Sequence, residues 1–311
     1  MSSHKLTSLQ SRMKIEAGTV AHSLENFIQE HVTKLEREGA ILGLSGGLDS
    51  AVVAALCQRA VGPGQTLALL MPEKDSQKEH LKDALDLAQE LKIETKIIDI
   101  IPYLKQLGAY QLFELNRLPL PQHLKGALVN KAYRYYARKT GEPPFAASIL
   151  GFKDKEFGTY LRKGLAYCRL KHRLRMMLLY LYGELENRLV VGTANRTEHE
   201  IGFFVKHGCD DAVDVMPLLN LYKTQVIELA AYLKIPSRII SKNPSPDIIP
   251  GLVDEEVIGI PYAELDLILL ALAQKWPERE IAGALKIAGE KINYVKSLAR
   301  KSEHMRQVYT P

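Results

Sequence analysis

Residues 45–50 read Ser-Gly-Gly-Leu-Asp-Ser, directly after the apolar run 40–44 (Ala-Ile-Leu-Gly-Leu) and directly before the Gly- and Pro-free stretch 51–60. A short apolar run of that kind is a buried strand, and the stretch after it has the length and composition of a helix. Strand, polar turn and helix in this order form one unit of a parallel sheet covered by helices. Two adjacent glycines permit unusual φ values and let the backbone approach a ligand closely. Their N–H groups, the hydroxyls of Ser45 and Ser50, and the positive end of the helix together form a cradle for an anion. The Gly-Lys-Ser/Thr ending of a Walker A loop is missing, and so is the GxGxxG dinucleotide fingerprint. Asp49 adds a carboxylate that can hold Mg²⁺ against phosphates.

The remainder of the chain repeats the strand–helix rhythm. An amphipathic helix is predicted over 10–38 (Ile15, Val20, Leu24, Ile28, Val32, Leu35). Strands follow at 66–71, 95–100 and 188–192, with helices at 76–91 and 224–233 and an extended stretch at 213–218. This predicts an α/β fold, a doubly wound parallel sheet flanked by helices, with its ligand at the carboxyl ends of the strands near a topological switch point. Over about 106–165 the rhythm is lost. Pro119, Pro121, Pro143 and Pro144 surround a basic, tyrosine-rich helix at 131–139. The segment reads as a helical insertion: a lid, a dimer contact, or a surface excursion without catalytic role. No linker interrupts the chain, so 1–311 is expected to be a single domain.

Bulk properties exclude several classes. The 311 residues are 46% hydrophobic and 25% charged, which suits a globular protein with a sizeable core. A net charge of +5 fits polyanionic small molecules and does not call for nucleic acid. Cys57, Cys168 and Cys209 contain no CxxC pair, which predicts a reduced compartment and neither structural zinc nor disulfides. No apolar run approaches the ~20 residues of a membrane span. The first residues, Met-Ser-Ser-His-Lys, lack an apolar signal segment, so the expected location is cytoplasmic.

A second segment, residues 190–200 (VVGTANRTEHE), carries further chemistry. Thr197 and Glu200 have capping-box spacing, which would start a helix at Thr197. Glu198 would then lie in the first turn, as a dipole partner or as a second Mg²⁺ ligand.

SGGLDS resembles the pyrophosphate loop of the N-type ATP-pyrophosphatases, the adenine nucleotide alpha hydrolase-like superfamily. Residues 192–198 are similar to the GTxNxxE segment of the ammonia-dependent NAD synthetases within it. The resemblance continues through 202–224 (GFFVKHGCDDAVDVMPLLNLYKT), 242–247 (KNPSPD), 254–266 (DEEVIGIPYAELD), 302–304 (SEH) and the 172–176 stretch HRLRM. It implies a ligase that adenylates deamido-NAD with ATP and Mg²⁺ and then amidates it with ammonia. Gly43, Leu44, Ser45, Gly46, Gly47, Asp49, Ser50, Thr193, Lys223 and Ser245 would bind ATP. Asp49 and Glu198 would hold the metal. Arg173, Lys206, Asp214 and His304 would contact deamido-NAD. No nucleophilic side chain is implied, because positioning and charge neutralisation suffice. The resemblance also implies a homodimer. With only about 40 residues ahead of the loop there is no room for a glutaminase domain, so ammonia would come free or from a separate glutaminase. Three positions depart from the family pattern: Cys209 within its GDGG turn, Met305 after the terminal histidine, and Arg169 before its ARxRM helix. Other readings at this point are another ATP-pyrophosphatase-type amidotransferase, a tRNA-modifying enzyme, a nucleotide-binding regulator without turnover, or an interaction protein built on the N-terminal helix and the insertion.

Overall fold

The structure, a computed structural model, describes residues 2–112, 121–153, 155–243 and 252–310. Four strands, β1 (Gly39–Gly43), β2 (Thr66–Leu70), β3 (Glu94–Ile97) and β4 (Arg188–Val190), form one parallel sheet in the order β3-β2-β1-β4. The chain steps outward from β1 to β2 to β3, then crosses back to place β4 on the other side of β1. Strand order therefore reverses between β1 and β4, and the loop 45–50 leaves β1 at that switch point.

Alternation along the strands divides the core in two. Ala40, Leu42, Ala68, Leu70 and Leu189 face the helices Ala17–Lys34, Leu48–Val61, Lys78–Leu91 and Lys223–Tyr232. Ile41, Leu67, Leu69 and Val190 face the opposite side, against Leu104 and against Tyr167, Leu174 and Leu178 of the long helix Lys155–Leu185. Period-two side chains on a sheet covered on both faces produce this split. A third cluster joins the first helix, Ser2–Met13, to Tyr262–Ala273, Glu278–Leu285 and Gly289–Lys301 through Leu9, Met13, Leu265, Ile268, Ile281 and Leu298.

Several boundaries differ from the sequence expectation. The helix expected over 10–38 is two helices, Ser2–Met13 and Ala17–Lys34. The Gln225 side chain donates to the Met13 carbonyl (3.0 Å) and Glu228 accepts from Ile15 N–H (3.3 Å), so the break is held by a distant helix. Strand 95–100 ends at Ile97, because Asp99 accepts from Ile101 N–H (2.9 Å) and Pro102 opens a short helix. The extended stretch 213–218 contributes one bridge, Val191 to Val215, and Pro217 then removes a donor. Among the described residues no helix is long and apolar enough to cross a membrane.

Candidate active site

The loop after β1 is cross-braced by its own hydroxyls. Ser50 Oγ accepts from Ser45 N–H (3.2 Å) and donates to Gly47 O (3.0 Å), while Ser45 Oγ accepts from Gly47 N–H (3.2 Å). Gly47 caps the helix Leu48–Val61, whose free N–H groups point toward the loop's concave side. Gly46 has φ +80°, and a Cβ there would lie 2.1 Å from the His80 carbonyl oxygen. Gly46→Ala combines about 1–2 kcal/mol of left-handed strain with a backbone collision. Displacing the loop by an ångström is expected to lower kcat/KM for ATP by about 10², measured by pyrophosphate release.

Four charged side chains converge beside this loop. Asn195, not Thr197, caps the helix Arg196–Ile201: its Oδ1 accepts from Glu198 N–H (3.1 Å) and its Nδ2 donates to Asp49 Oδ1 (3.0 Å). Thr197 instead donates to Asp266 Oδ1 (2.6 Å) and accepts from Lys223 N–H (2.9 Å). The other oxygen of Asp266 takes both the N–H and the hydroxyl of Thr224 (2.8 Å each). Buried Asp266 thus binds two helix starts together, and Glu198 and Lys223 with them. The Lys223 ammonium is 2% exposed and pairs with Asp49 Oδ2 and with Glu198 Oε1 (3.3 Å). Asp254 joins from the helix Asp254–Ile258, held by the Tyr262 hydroxyl (3.1 Å).

Three carboxylates face one lysine, and full ionisation of all three would leave an excess of two negative charges in a poorly hydrated place. Burial pushes Glu198 up to about 8, against the pull of Lys223 and with the push of Asp49. Burial likewise pushes Asp254 up to about 6. Burial alone would depress the Lys223 ammonium, but Asp49, Glu198 and Asp254 outweigh it and hold it above the ordinary range. Asp254 Oδ1 is buried without a hydrogen-bond partner among the described residues. Oxygen-only donors, surplus negative charge and an orphaned carboxylate oxygen fit a hard divalent cation such as Mg²⁺. Between pH ~4.5 and ~8 the metal-free folded chain keeps protons that the unfolded chain has lost, so its stability falls as pH rises. In EDTA the unfolding midpoint is expected to fall from pH 5 to pH 8. Added Mg²⁺ is expected to raise it more at pH 8 than at pH 6, as thermal melts would show.

One cavity of about 540 Å³ runs from this cluster. Its wall includes Gly43, Leu44, Ser45, Gly47, Asp49, Ser50, Thr193, Glu198, Lys223 and Asp254. The segment 106–165 supplies much of the opposite wall through Tyr133, Tyr136, Phe145, Phe157 and Tyr160. Lys242 lines the cavity and pairs with Asp83, while Ser245 lies outside the described residues.

The expected acceptor residues lie elsewhere. Arg173, exposed on the long helix, donates to the Lys206 carbonyl (3.2 Å), and Lys206 Nζ donates to the carbonyls of His304 (2.8 Å) and Gln307 (2.6 Å). These three form a surface group outside the cavity wall. Asp214 sits beyond β4, accepting from Val190 N–H (2.8 Å) and the Tyr180 hydroxyl (3.1 Å).

Comparisons with known proteins give the family. The family described as NAD synthase matches residues 20–137 and 143–309. The NH₃-dependent NAD⁺ synthetase of Thermotoga neapolitana is 44% identical over 254 residues, covering 82% of this chain and 84% of its own. Among solved structures, an NMN synthetase from Francisella tularensis superposes with TM-score 0.69 at 28% identity, covering 96% of this chain and 99% of its own. An NH₃-dependent NAD synthetase from Campylobacter jejuni gives TM-score 0.67 at 26% identity with the same coverage. With a match to the family over most of its length, this chain belongs to the NAD synthase family.

Proposed function

We propose that this chain is an ammonia-dependent NAD synthetase. It activates the nicotinate carboxylate of deamido-NAD with ATP and replaces AMP by ammonia, giving NAD, AMP and pyrophosphate. The observation that carries the reading is a braced anion cradle facing Asp49, Glu198, Asp254 and Lys223 in one cavity. The loop's N–H groups and the Ser45 and Ser50 hydroxyls bind the ATP phosphates, and Thr193 in the cavity wall fixes the nucleotide's position. Lys223 offers a compact positive charge to the oxygens that gain charge as pyrophosphate departs. Mg²⁺ held by Asp49, Glu198 and Asp254 would supply further charge neutralisation at those phosphates. The aromatic wall from 106–165 keeps water from the activated carbonyl. Purified protein with ATP, Mg²⁺, ammonia and deamido-NAD is expected to release NAD, AMP and pyrophosphate in equal amounts, and glutamine in place of ammonia is expected to give none. Nicotinic acid mononucleotide run in parallel tests the acceptor suggested by the NMN synthetase likeness. Absence of AMP with both acceptors would sink the reading.

The same reading includes a homodimer. Met177, Leu181 and Leu185 follow Arg173 at four-residue spacing on the long helix and are 61%, 51% and 69% exposed. Residues four apart share a helix face, so a second copy on this apolar stripe would enclose Arg173 with Lys206 and His304 in the acceptor site. Leu181→Asp is expected to halve the mass measured by light scattering. It is expected to raise KM for deamido-NAD about tenfold while KM for ATP changes little.

A further inference from the structure

The turn where the chain departs from the family pattern meets the long helix at the cavity wall. His172 Nδ1 lies 3.5 Å from Cys209 Sγ and 2.8 Å from Asp210 Oδ2, and Cys209 Sγ lies 3.6 Å from Asp210 Oδ1. We propose that His172, Cys209 and Asp210 form a binding site for a borderline-soft divalent cation of the zinc class, separate from the Mg²⁺ site.

The spacing is that of three ligands around one ion. Zinc bonds of about 2.0–2.1 Å to nitrogen, 2.3 Å to sulfur and 2.0–2.2 Å to oxygen, set at the tetrahedral angle, place the ligand atoms roughly 3.3–3.6 Å apart. The His172–Cys209 separation already falls there. Asp210 meets the other two through different oxygens, Oδ1 toward the sulfur and Oδ2 toward the imidazole, so a small turn of its carboxylate brings one oxygen onto the ion as the shorter hydrogen-bonded contact opens. Backbone holds the two elements in place: Cys209 N–H donates to the His172 carbonyl (3.2 Å), and a Cβ on Gly208 would sit 3.0 Å from His172 Cβ.

The donor set distinguishes this site from the oxygen cluster at Asp49. Sulfur and imidazole select softer cations, and carboxylates alone select Mg²⁺. A thiolate and one carboxylate carry two negative charges against the ion's two positive ones. Arg175, whose charge acts on Cys209, has its guanidinium engaged by the Met71 carbonyl (3.3 Å). Binding releases the thiol proton to solvent as the sulfur–metal bond forms, and the proton that Nδ1 shares with Asp210 passes to Nε2, so the imidazole binds neutral through Nδ1. All three ligands line the cavity, so the fourth position opens toward it, as in zinc sites with three protein ligands. The missing CxxC pair excludes a closed cysteine site and leaves this open mixed one.

The test is Co²⁺ titration of the full chain in excess Mg²⁺, read by the thiolate-to-cobalt charge-transfer absorption. The expected result is one equivalent bound, displaced by Zn²⁺, with the band lost in Cys209→Ser and kept in Cys168→Ser and Asp49→Asn. Asp210→Asn, which preserves side-chain shape, is expected to weaken Co²⁺ binding about tenfold or more, and it decides the matter should Cys209→Ser not fold. Absence of the band, its survival in Cys209→Ser, its loss in Cys168→Ser, or unchanged affinity in Asp210→Asn would each overturn the proposal.

Discussion

Lys223→Met is expected to lower kcat/KM for ATP by about 10²–10³ and also to destabilise the metal-free protein. Both effects come from one position. The Lys223 ammonium is buried, and it is the cation that forms ion pairs with both Asp49 and Glu198, with Asp254 adding to the field around it. Methionine fills similar volume and leaves buried Asp254 and partly buried Asp49 and Glu198 with no cation. Breaking a buried pair by removing one partner costs about 3–5 kcal/mol. Protonation relieves part of that cost, and Glu198 and Asp254 are already pushed toward their neutral forms. A divalent cation relieves it too. Melts in EDTA are therefore expected to show a large drop for Lys223→Met that Mg²⁺ mostly restores, whereas pyrophosphate release stays low at saturating Mg²⁺. Restoration of turnover by Mg²⁺ would show that Lys223 acts only as a counter-ion. Lack of stabilisation by Mg²⁺ would remove the metal assignment.

The parts of the site legible in the sequence are those whose chemistry is local. SGGLDS announces itself because strand, glycines, hydroxyls and helix are contiguous, and Glu198 because a first-turn acid has few roles. Asp254 and Asp266 belong to a block that the resemblance covers, yet neither is readable as a site residue. Asp254 begins an acidic run that reads as a dipole partner, and Asp266 looks like an ordinary polar position in an apolar helix. Their importance exists only after the chain returns to Lys223 and Thr197. The misplaced helix start at Thr197 has the same origin: Asp266, 69 residues away, claims the hydroxyl that would have capped it. The break at Lys14 likewise depends on Gln225 and Glu228. For 106–165, the tyrosines and phenylalanines that line the cavity are apolar residues of a helix until the opposite wall is known.

Lys171→Met tests a second buried network, which no local pattern announced. An isolated lysine in a helix ordinarily reads as a solvated charge, but Lys171 is fully buried, donating to Glu73 Oε1 and Asp75 Oδ2 (2.7 Å each). The Tyr167 hydroxyl also donates to Asp75, and the Tyr167 ring lies 4.0 Å from the ammonium. The network ties the long helix to the segment after β2, where Met71, Pro72, Ser76 and Gln77 line the cavity. Removing the cation strands two carboxylates, at a cost of about 3–5 kcal/mol, which for a chain of this size lowers the melting midpoint by roughly 5–8 °C. Mg²⁺ is expected not to restore it, in contrast to Lys223→Met, because these carboxylates lie in a different network. The triple variant Lys171→Met, Glu73→Gln, Asp75→Asn leaves no stranded charge and is expected to recover most of the loss. If the single and triple variants melt together, the cost comes from packing around the lysine stem rather than from the carboxylates. KM for ATP in the triple variant then reports whether the charged tie is needed to hold the wall beside the loop, or only to keep the chain folded.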